Sequence, residues 1–163
     1  MIYRAYVPND FAQLFAIEQA CFQPPHRFGR AYLRELVNST SAATWVAEED
    51  GIVMGFAVVD WTSESGDLVA YIQTIEVFPE QRGRGIGREL LRQAEDSARS
   101  AGARAIWLHV EQANQAAIRL YKVGGYQCEG REDGYYGRGR AALIYAKILE
   151  PRGERPGQAG LPG

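Results

Sequence analysis

Apolar residues change their spacing several times along this chain, and each change marks an element. Ile2–Tyr6 alternates in the manner of a first strand, and Pro8-Asn9-Asp10 then supplies a stop and a helix cap. Phe11, Leu14, Phe15 and Glu18 recur at helical spacing until Phe22-Gln23-Pro24-Pro25-His26 breaks the run into a loop. A second helix fits Arg30–Asn38, with Tyr32, Leu33, Leu36 and Val37 along one side. Thr44–Glu49 and Ile52–Trp61 are β-rich and flank Asp50-Gly51, a strong two-residue hairpin signal. Thr62–Gly66 reads as a polar loop, Asp67–Val77 as a strand, and the helix that follows runs to about Ala101, where Gly102 terminates it. A strand over Ala105–Val110, a short helix over Asn114–Tyr121 and two strands, Tyr126–Gly130 and Ala142–Leu149, complete the order. The pattern predicts an α/β (α+β) domain, with one mixed sheet of about six to seven strands and about four helices on its two faces.

The most telling junction lies between the strand ending at Val77 and the next helix. Phe78-Pro79-Glu80-Gln81-Arg82 leads into Gly83-Arg84-Gly85-Ile86-Gly87, three glycines at alternate positions that open directly into Arg88-Glu89-Leu90-Leu91. Glycine lets backbone N–H groups crowd a ligand, and a helix start adds unpaired donors and a partial positive charge. The loop is therefore suited to an anion, most naturally a phosphate. A Walker loop needs Gly-Lys-Ser/Thr, which is missing, and a dinucleotide fingerprint needs a third glycine where Arg88 stands. On the loop alone, a glycine-rich turn that holds nothing stays open.

Composition narrows the class further. The chain has 163 residues, 46% hydrophobic and 23% charged, the balance of one ordinary globular domain with a real core. A formal net charge of −2 and the lack of any basic run give no reason to expect a nucleic-acid partner. No apolar run approaches the roughly 20 residues of a membrane span, and the N-terminus has no leader-like apolar region. Cys21 and Cys128 fit no metal spacing and no disulfide framework, so a cytoplasmic protein without a bound metal is expected. The domain is expected over 1–150, and the Pro/Gly-rich 151–163 as a flexible tail.

From Tyr71 to Tyr136 the sequence resembles the GNAT acyltransferases, and within them the protein N-terminal acetyltransferases. Three blocks carry the likeness: Ile75-Glu76-Val77-Phe78-Pro79 with the glycine loop, Leu108-His109-Val110 followed by Asn114, and Ala117-Ile118-Arg119-Leu120-Tyr121 through Gly125-Tyr126. Cys21-Phe22-Gln23-Pro24-Pro25 and Tyr135-Tyr136 extend it. The bacterial enzymes that acetylate a ribosomal-protein N-terminus usually carry a glutamate where His109 stands. His109 with Tyr71 resembles instead the eukaryotic branch that acts on chains keeping their initiator methionine. Tyr126 stands where a phenylalanine is usual.

The resemblance implies acetyl-CoA as co-substrate, held by Gln81, Arg82, Gly83, Arg84, Gly85, Ile86 and Gly87 at its phosphates. Arg88 is expected to contribute little. Backbone groups of Ile75 and Val77 would serve the thioester and pantetheine, with Asn114 and Tyr121 further along. It implies an acceptor peptide slot walled by Phe22, Pro24, Tyr135 and Tyr136, and direct transfer with no acyl-enzyme. An attacking amine must be uncharged; an α-amino group at about 7.7–8.0 loses its proton far more cheaply than a lysine near about 10.4. A weak base therefore suffices, and an imidazole suits the task.

His109 lies on a strand where Ile106, Leu108 and Val110 face one way and Trp107, His109 and Glu111 the other. In the implied scheme His109 and Tyr71 handle the amine proton and Tyr121 protonates the leaving thiolate. On spacing alone, His109 equally fits a histidine that merely hydrogen-bonds in that layer. Aromatic packing stays open as an alternative for Tyr71, Tyr121, Tyr135 and Tyr136, and solvated surface for Arg82 and Arg84, while Asn114 can be a helix cap with or without a reach toward the pantetheine arm. His26 reads as an ordinary loop residue. The acceptor is expected to be a protein or peptide N-terminus. A small amine, a lysine side chain and a non-catalytic acetyl-CoA-binding module remain as alternatives.

Overall fold

The computed structural model describes residues 1–23 and 27–151. Pro24, His26 and the segment from 152 onward, including the expected tail, lie outside the described residues. The chain runs β1 (Ile2–Ala5), α1 (Phe11–Cys21), α2 (Arg30–Asn38), β2 (Ala42–Glu49), β3 (Ile52–Glu64) and β4 (Asp67–Val77). It continues with α3 (Ile86–Ala101), β5 (Ala105–Glu111), α4 (Gln115–Val123), β6 (Gln127–Glu132) and β7 (Ala142–Ile148). The strands form one seven-stranded sheet in the order β1-β2-β3-β4-β5-β7-β6. Every neighbouring pair is antiparallel except β4 with β5. This is the mixed sheet that the alternation of strand and helix patterns predicts.

Two layers of helix cover it. On one face Phe11, Leu14 and Ile17 of α1 and Leu33 of α2 pack on Val46, Val53, Phe56 and Val58. On the other, Ile86 and Leu90 of α3 meet Ala47 and Ala57, whose side chains alternate with the first set along β2 and β3. Leu91, Ala94 and Ala98 of α3 join Ile118 and Tyr121 of α4 over Ile72, Ile106 and Leu108. At fifteen buried residues this is the largest of the clusters. Tyr126 closes it, and its hydroxyl donates to Glu95 Oε1 at 2.9 Å, while Lys147 Nζ donates to Glu95 Oε2 at 3.1 Å. The extra oxygen that a phenylalanine would lack is thus matched by a buried carboxylate, which needs those donors.

Two sequence expectations are corrected. Thr62–Gly66 is not a loop: β3 and β4 pair out to Glu64↔Asp67, and Ser65-Gly66, both at positive φ, make a two-residue turn. Polar side chains there are exposed, and an exposed hairpin end needs only backbone pairing and a suitable turn. Asp10 does not cap α1 with its side chain; its carboxylate takes Arg4 at 2.8 Å through both oxygens and the Val7 N–H at 2.9 Å. The nearby guanidinium outcompetes a helix amide, being charged and bidentate, and holds the Asp10 carboxyl below its usual range. The last helix and β6 also run two residues further than expected, to Val123 and Glu132.

β4 carries a bulge. Val58 faces Thr74 and Val59 faces Ile72, so Gln73 is an added residue on β4. It resets the alternation: Ile72 and Ile75 both join the α3 side, whereas Glu76 meets Glu18 of α1 on the other. These two carboxyls are 1% and 2% exposed. Glu76 Oε2 accepts from the Thr74 hydroxyl at 2.7 Å and Glu18 Oε2 from the Phe28 N–H at 3.0 Å. Both Oε1 atoms lack a donor among the described residues. A proton shared between the two carboxyls satisfies both. Burial first, and the Glu18 carboxyl second, push Glu76 well above the usual carboxylate range.

The sign of the linkage is fixed by that direction. A carboxyl raised in the folded state binds a proton that the unfolded chain has released, so its contribution is lost as pH rises through the folded value. Glu76→Gln, whose amide supplies the missing donor at any pH, is expected to raise the melting temperature. The gain should grow as pH rises above the usual carboxylate range, at about 2–4 °C per kcal/mol recovered. Thermal melts across that rise in pH check it; a gain independent of pH would mean the pair does not share a proton.

Candidate functional site

β4 and β5 stay paired only from Val69↔Ala105 through Ala70↔Ile106 to Tyr71↔Trp107. Beyond Tyr71 the two strands part, just before the bulge at Gln73, while β5 keeps its other neighbour β7 as far as Glu111↔Ala142. The facing edges of β4 and β5 are thereby left without a strand partner, and a backbone edge inside a cleft needs a ligand or water to bond. A cavity of about 300 Å³ fills the gap, lined by Tyr71 through Ile75 on one side and Leu108 through Glu111 on the other. A second of about 310 Å³ lies against the glycine loop. Ile75, Asn114 and Ala117 line both, so the two are halves of one groove.

The glycine loop forms the outer half. Gly83 and Gly85 hold φ of +81° and +82°, a region that a side chain with a Cβ enters only under strain. The first helical bond of α3 here is Glu89 N–H to Gly85 C=O at 3.2 Å, so the amides ahead of it have no helix partner. With Gln81, Arg82, Gly85 and Gly87 on the wall, this half suits a diphosphate. Arg82 donates to the Val77 carbonyl at 3.2 Å and is tethered across the loop. Arg84 is not on the wall: it donates to Gln81 Oε1 and Glu49 Oε2, both at 2.6 Å. Arg88, of which sequence reasoning expects little, does line it. Asn114 caps α4 by accepting the Ala117 N–H at 3.2 Å while its residue faces both halves of the groove.

The inner half gathers the aromatic residues. Tyr71 Oη lies 2.8 Å from His109 Nδ1, and His109 Nε2 lies 3.0 Å from Glu132 Oε1. The Tyr135 ring stacks on the imidazole at 4.2 Å and 9°, and Tyr136 meets Tyr135 edge-on at 4.9 Å. Trp107 packs on Tyr71 at 4.6 Å. Tyr121 reaches the same cavity from α4. Phe22 stands across the mouth, joined by Phe28 and Tyr32. All the predicted inner residues described by the structure therefore converge.

Burial shapes the protonation of this half. Burial first, and Tyr135 second, push the Tyr71 phenol far above its usual range, and burial does the same to Tyr121. Tyr136 is pushed up to about 12, again chiefly by burial. These hydroxyls stay protonated near neutrality, so Tyr71 can relay a proton without ionising and Tyr121 is always available as a donor.

Sequence reasoning missed Glu132, Phe28, Tyr32 and Glu18. Glu132 sits on an edge strand among exposed polar residues and carries no local signal. Glu18 had one, a carboxylate on the apolar face of α1.

The family model described as the acetyltransferase (GNAT) family matches residues 11–126. Streptothricin acetyltransferase of Streptomyces lavendulae is 41% identical over 87 residues, 53% of this chain and 45% of that one. A Bacillus subtilis protein described provisionally as a ribosomal protein bS18 alanine N-acetyltransferase is 32% identical over 83% of this chain and 87% of its own. The match thus spans less than half of the first relative and most of the second. Among solved structures, NAA60 of Arabidopsis thaliana in complex with acetyl-CoA superposes with a TM-score of 0.79 at 24% identity, covering 91% of this chain and 98% of that one. At that identity the likeness is one of fold.

The loop geometry sets an order of sensitivity toward acetyl-CoA, the ligand that the resemblance implies. Gly85→Val forces a β-branched residue to positive φ at a cost of about 1–3 kcal/mol, and is expected to weaken binding by about 5- to 100-fold. Arg84→Ala, removing a side chain already tied to Glu49, is expected to change affinity less than Arg88→Ala. Isothermal calorimetry measures all three.

Proposed function

The chain belongs to the GNAT acetyltransferase family, and from that premise we propose that it moves an acetyl group from acetyl-CoA to the α-amino group of a peptide or protein N-terminus. The observation that carries this reading is the aromatic lining of the inner cavity. Phe22, Phe28, Tyr32, Tyr135 and Tyr136 line it together with Tyr71 and His109. Such walls accept a chain's backbone and first side chain and leave its terminal nitrogen at the proton-handling pair.

The groove fits acetyl-CoA in both halves: free amides and Arg82 for the phosphates, unpaired strand edge for the rest. When bound, acetyl-CoA supplies an activated thioester. The residues do the remainder. A backbone N–H on the free edge of β4, at Ile75 or Val77, polarises the carbonyl oxygen. Tyr71 and His109 take the proton of the acceptor nitrogen. Tyr121, neutral near pH 7 as a phenol is and held so more firmly by burial, gives a proton to the departing sulfur. Ile75, Asn114 and Ala117 line both halves of the groove, which supports binding of both partners together and a direct transfer.

A small-molecule amine is the second reading. The 41% identity to streptothricin acetyltransferase favours it, and this fold serves many acceptors. Thiol release from acetyl-CoA, followed with N-terminal peptides beside spermidine, free amino acids and streptothricin, separates the two. Peptides turned over at least about 10-fold better in kcat/KM support the N-terminal reading; a reversed order replaces it.

Removing the proton-handling groups should split chemistry from binding. Tyr121→Phe is expected to leave acetyl-CoA affinity intact and to lower kcat by about 10²–10⁴-fold. His109→Ala is expected to lose most activity, and Tyr71→Phe a smaller share. Single-turnover rates on folded protein measure each. A His109→Ala rate within about threefold of wild type from about pH 6 to about pH 9 makes His109 structural, with the free amine needing no base.

A further inference from the structure

Glu132 itself lines neither half of the groove, yet it holds the ring that the proposed chemistry uses. His109 has partners on both nitrogens, Tyr71 at Nδ1 and Glu132 at Nε2, at 2.8 and 3.0 Å. An ionised carboxylate can only accept, so Nε2 must be the donor of that bond. A neutral imidazole has one N–H. With it committed to Glu132, Nδ1 carries a lone pair and accepts the Tyr71 O–H. The Tyr71 hydroxyl is then donated backward to the ring; its oxygen also meets the Tyr135 side chain, and a remaining lone pair faces the cavity that Tyr71 lines.

We propose that Glu132 is a positioning residue that sets the tautomer and orientation of His109, making Glu132, His109 and Tyr71 a three-member proton relay with Tyr71 as its face toward the acceptor. The inference rests on the acetyl-transfer reading above. As the acceptor nitrogen bonds to the acyl carbon, its proton passes to Tyr71 Oη while the Tyr71 proton passes to His109 Nδ1. The C–S bond breaks with its electron pair on sulfur, which takes the Tyr121 proton. The imidazolium keeps both N–H bonds, one facing the carboxylate. When product leaves, the Nδ1 proton returns through Tyr71 to water in the opened cavity, and Tyr121 is reprotonated from water. The acceptor sheds its first proton to water before it attacks, and the proton that the relay returns to water balances the one that Tyr121 takes up, so an ammonium acceptor and a thioester yield amide, thiol and one released proton.

The surroundings give Glu132 this influence. The His109 side chain is only 9% exposed, sandwiched by Tyr135 and flanked by Trp107, whereas the Glu132 side chain is 48% exposed. A ring that must become a cation under an aromatic lid depends on the charge that reaches it. Of the groups in contact with the ring, Tyr71 from β4, Tyr135 from the loop after β6 and Trp107 from its own strand are neutral, and Glu132 from β6 is the anion. An ordinary surface ion pair would instead contribute almost nothing.

The test uses Glu132→Gln in the full chain. Its kcat at neutral pH is expected to fall about 10-fold with acetyl-CoA affinity and melting temperature unchanged. That is well short of the ~10⁴-fold loss at a fully buried triad carboxylate, since water partly replaces Glu132. Loss of the anion disfavours the imidazolium, so the acidic limb of kcat/KM is expected to move to lower pH. In a Tyr71→Phe background the same substitution is expected to cost nothing further, because the relay acts as a unit. Glu132→Asp is expected to restore part of kcat. Independently of activity, ¹H–¹⁵N correlation of the imidazoles reads the tautomer, and His26→Gln assigns the two histidines. Wild type is expected to show Nε2–H, and Glu132→Ala a mixture. A wild-type Nδ1–H ring, or a Glu132→Gln enzyme with unaltered kcat and acidic limb, overturns the proposal. A wild type that acetylates no amine yet shows Nε2–H and its loss in Glu132→Ala overturns the acetyl-transfer reading while leaving the tautomer assignment standing.

Discussion

The parting of β4 from β5 is the constraint on which the rest of the molecule depends. Two parallel strands that pair for three residues and then diverge leave backbone donors and acceptors unbonded inside the sheet itself. No fold tolerates that in a dry core, so the gap must be an occupied groove. The bulge at Gln73 lies at the point of divergence and turns Tyr71 and Ile75 toward different parts of the groove. What the sheet loses there in ladder hydrogen bonds becomes binding capacity, and the two aliphatic clusters with α3 and with α1 and α2 keep the frame rigid around it.

Around this gap, charge is rationed by burial. Tyr71, Tyr121 and Tyr136 are neutral near pH 7 as any phenol is, and burial pushes them further from ionising, so they act as donors of hydrogen bonds and not as anions. Glu18 and Glu76 solve a harsher version of the same problem by sharing a proton behind the cavity wall. The Glu132 carboxylate escapes the penalty by staying at the surface and acting through an imidazole. Each group's distance from water thus sets its chemical office.

The two relatives are named for acceptors as different as streptothricin and, provisionally, a ribosomal-protein alanine. In this chain the inner cavity is lined by residues near the end of α1, the start of α2 and the loop after β6. Those segments lie outside the densest cores, where substitution costs little stability. Specificity can therefore change without disturbing the groove.

The chain's own order of residues determined a good deal. Period-two and period-3.6 patterns placed every strand and helix to within a few residues, because burying one face dictates the spacing. Gly83-Arg84-Gly85 marked a tight turn at a helix start, because positive φ there favours glycine. Alternation along β5 put His109 opposite the core. Only the tertiary structure decided the partners. Arg84 and Arg88 look alike in sequence, yet one is bound to Glu49 and the other faces the groove. The Glu18–Glu76 contact joins a helix to a bulged strand, and a one-residue bulge reverses the facing that simple alternation predicts. Glu132 comes to His109 across β7, which lies between their two strands, from 23 residues away. Local pattern fixes which face a side chain takes, whereas strand order and register fix what stands opposite it, and those depend on contacts distant in sequence.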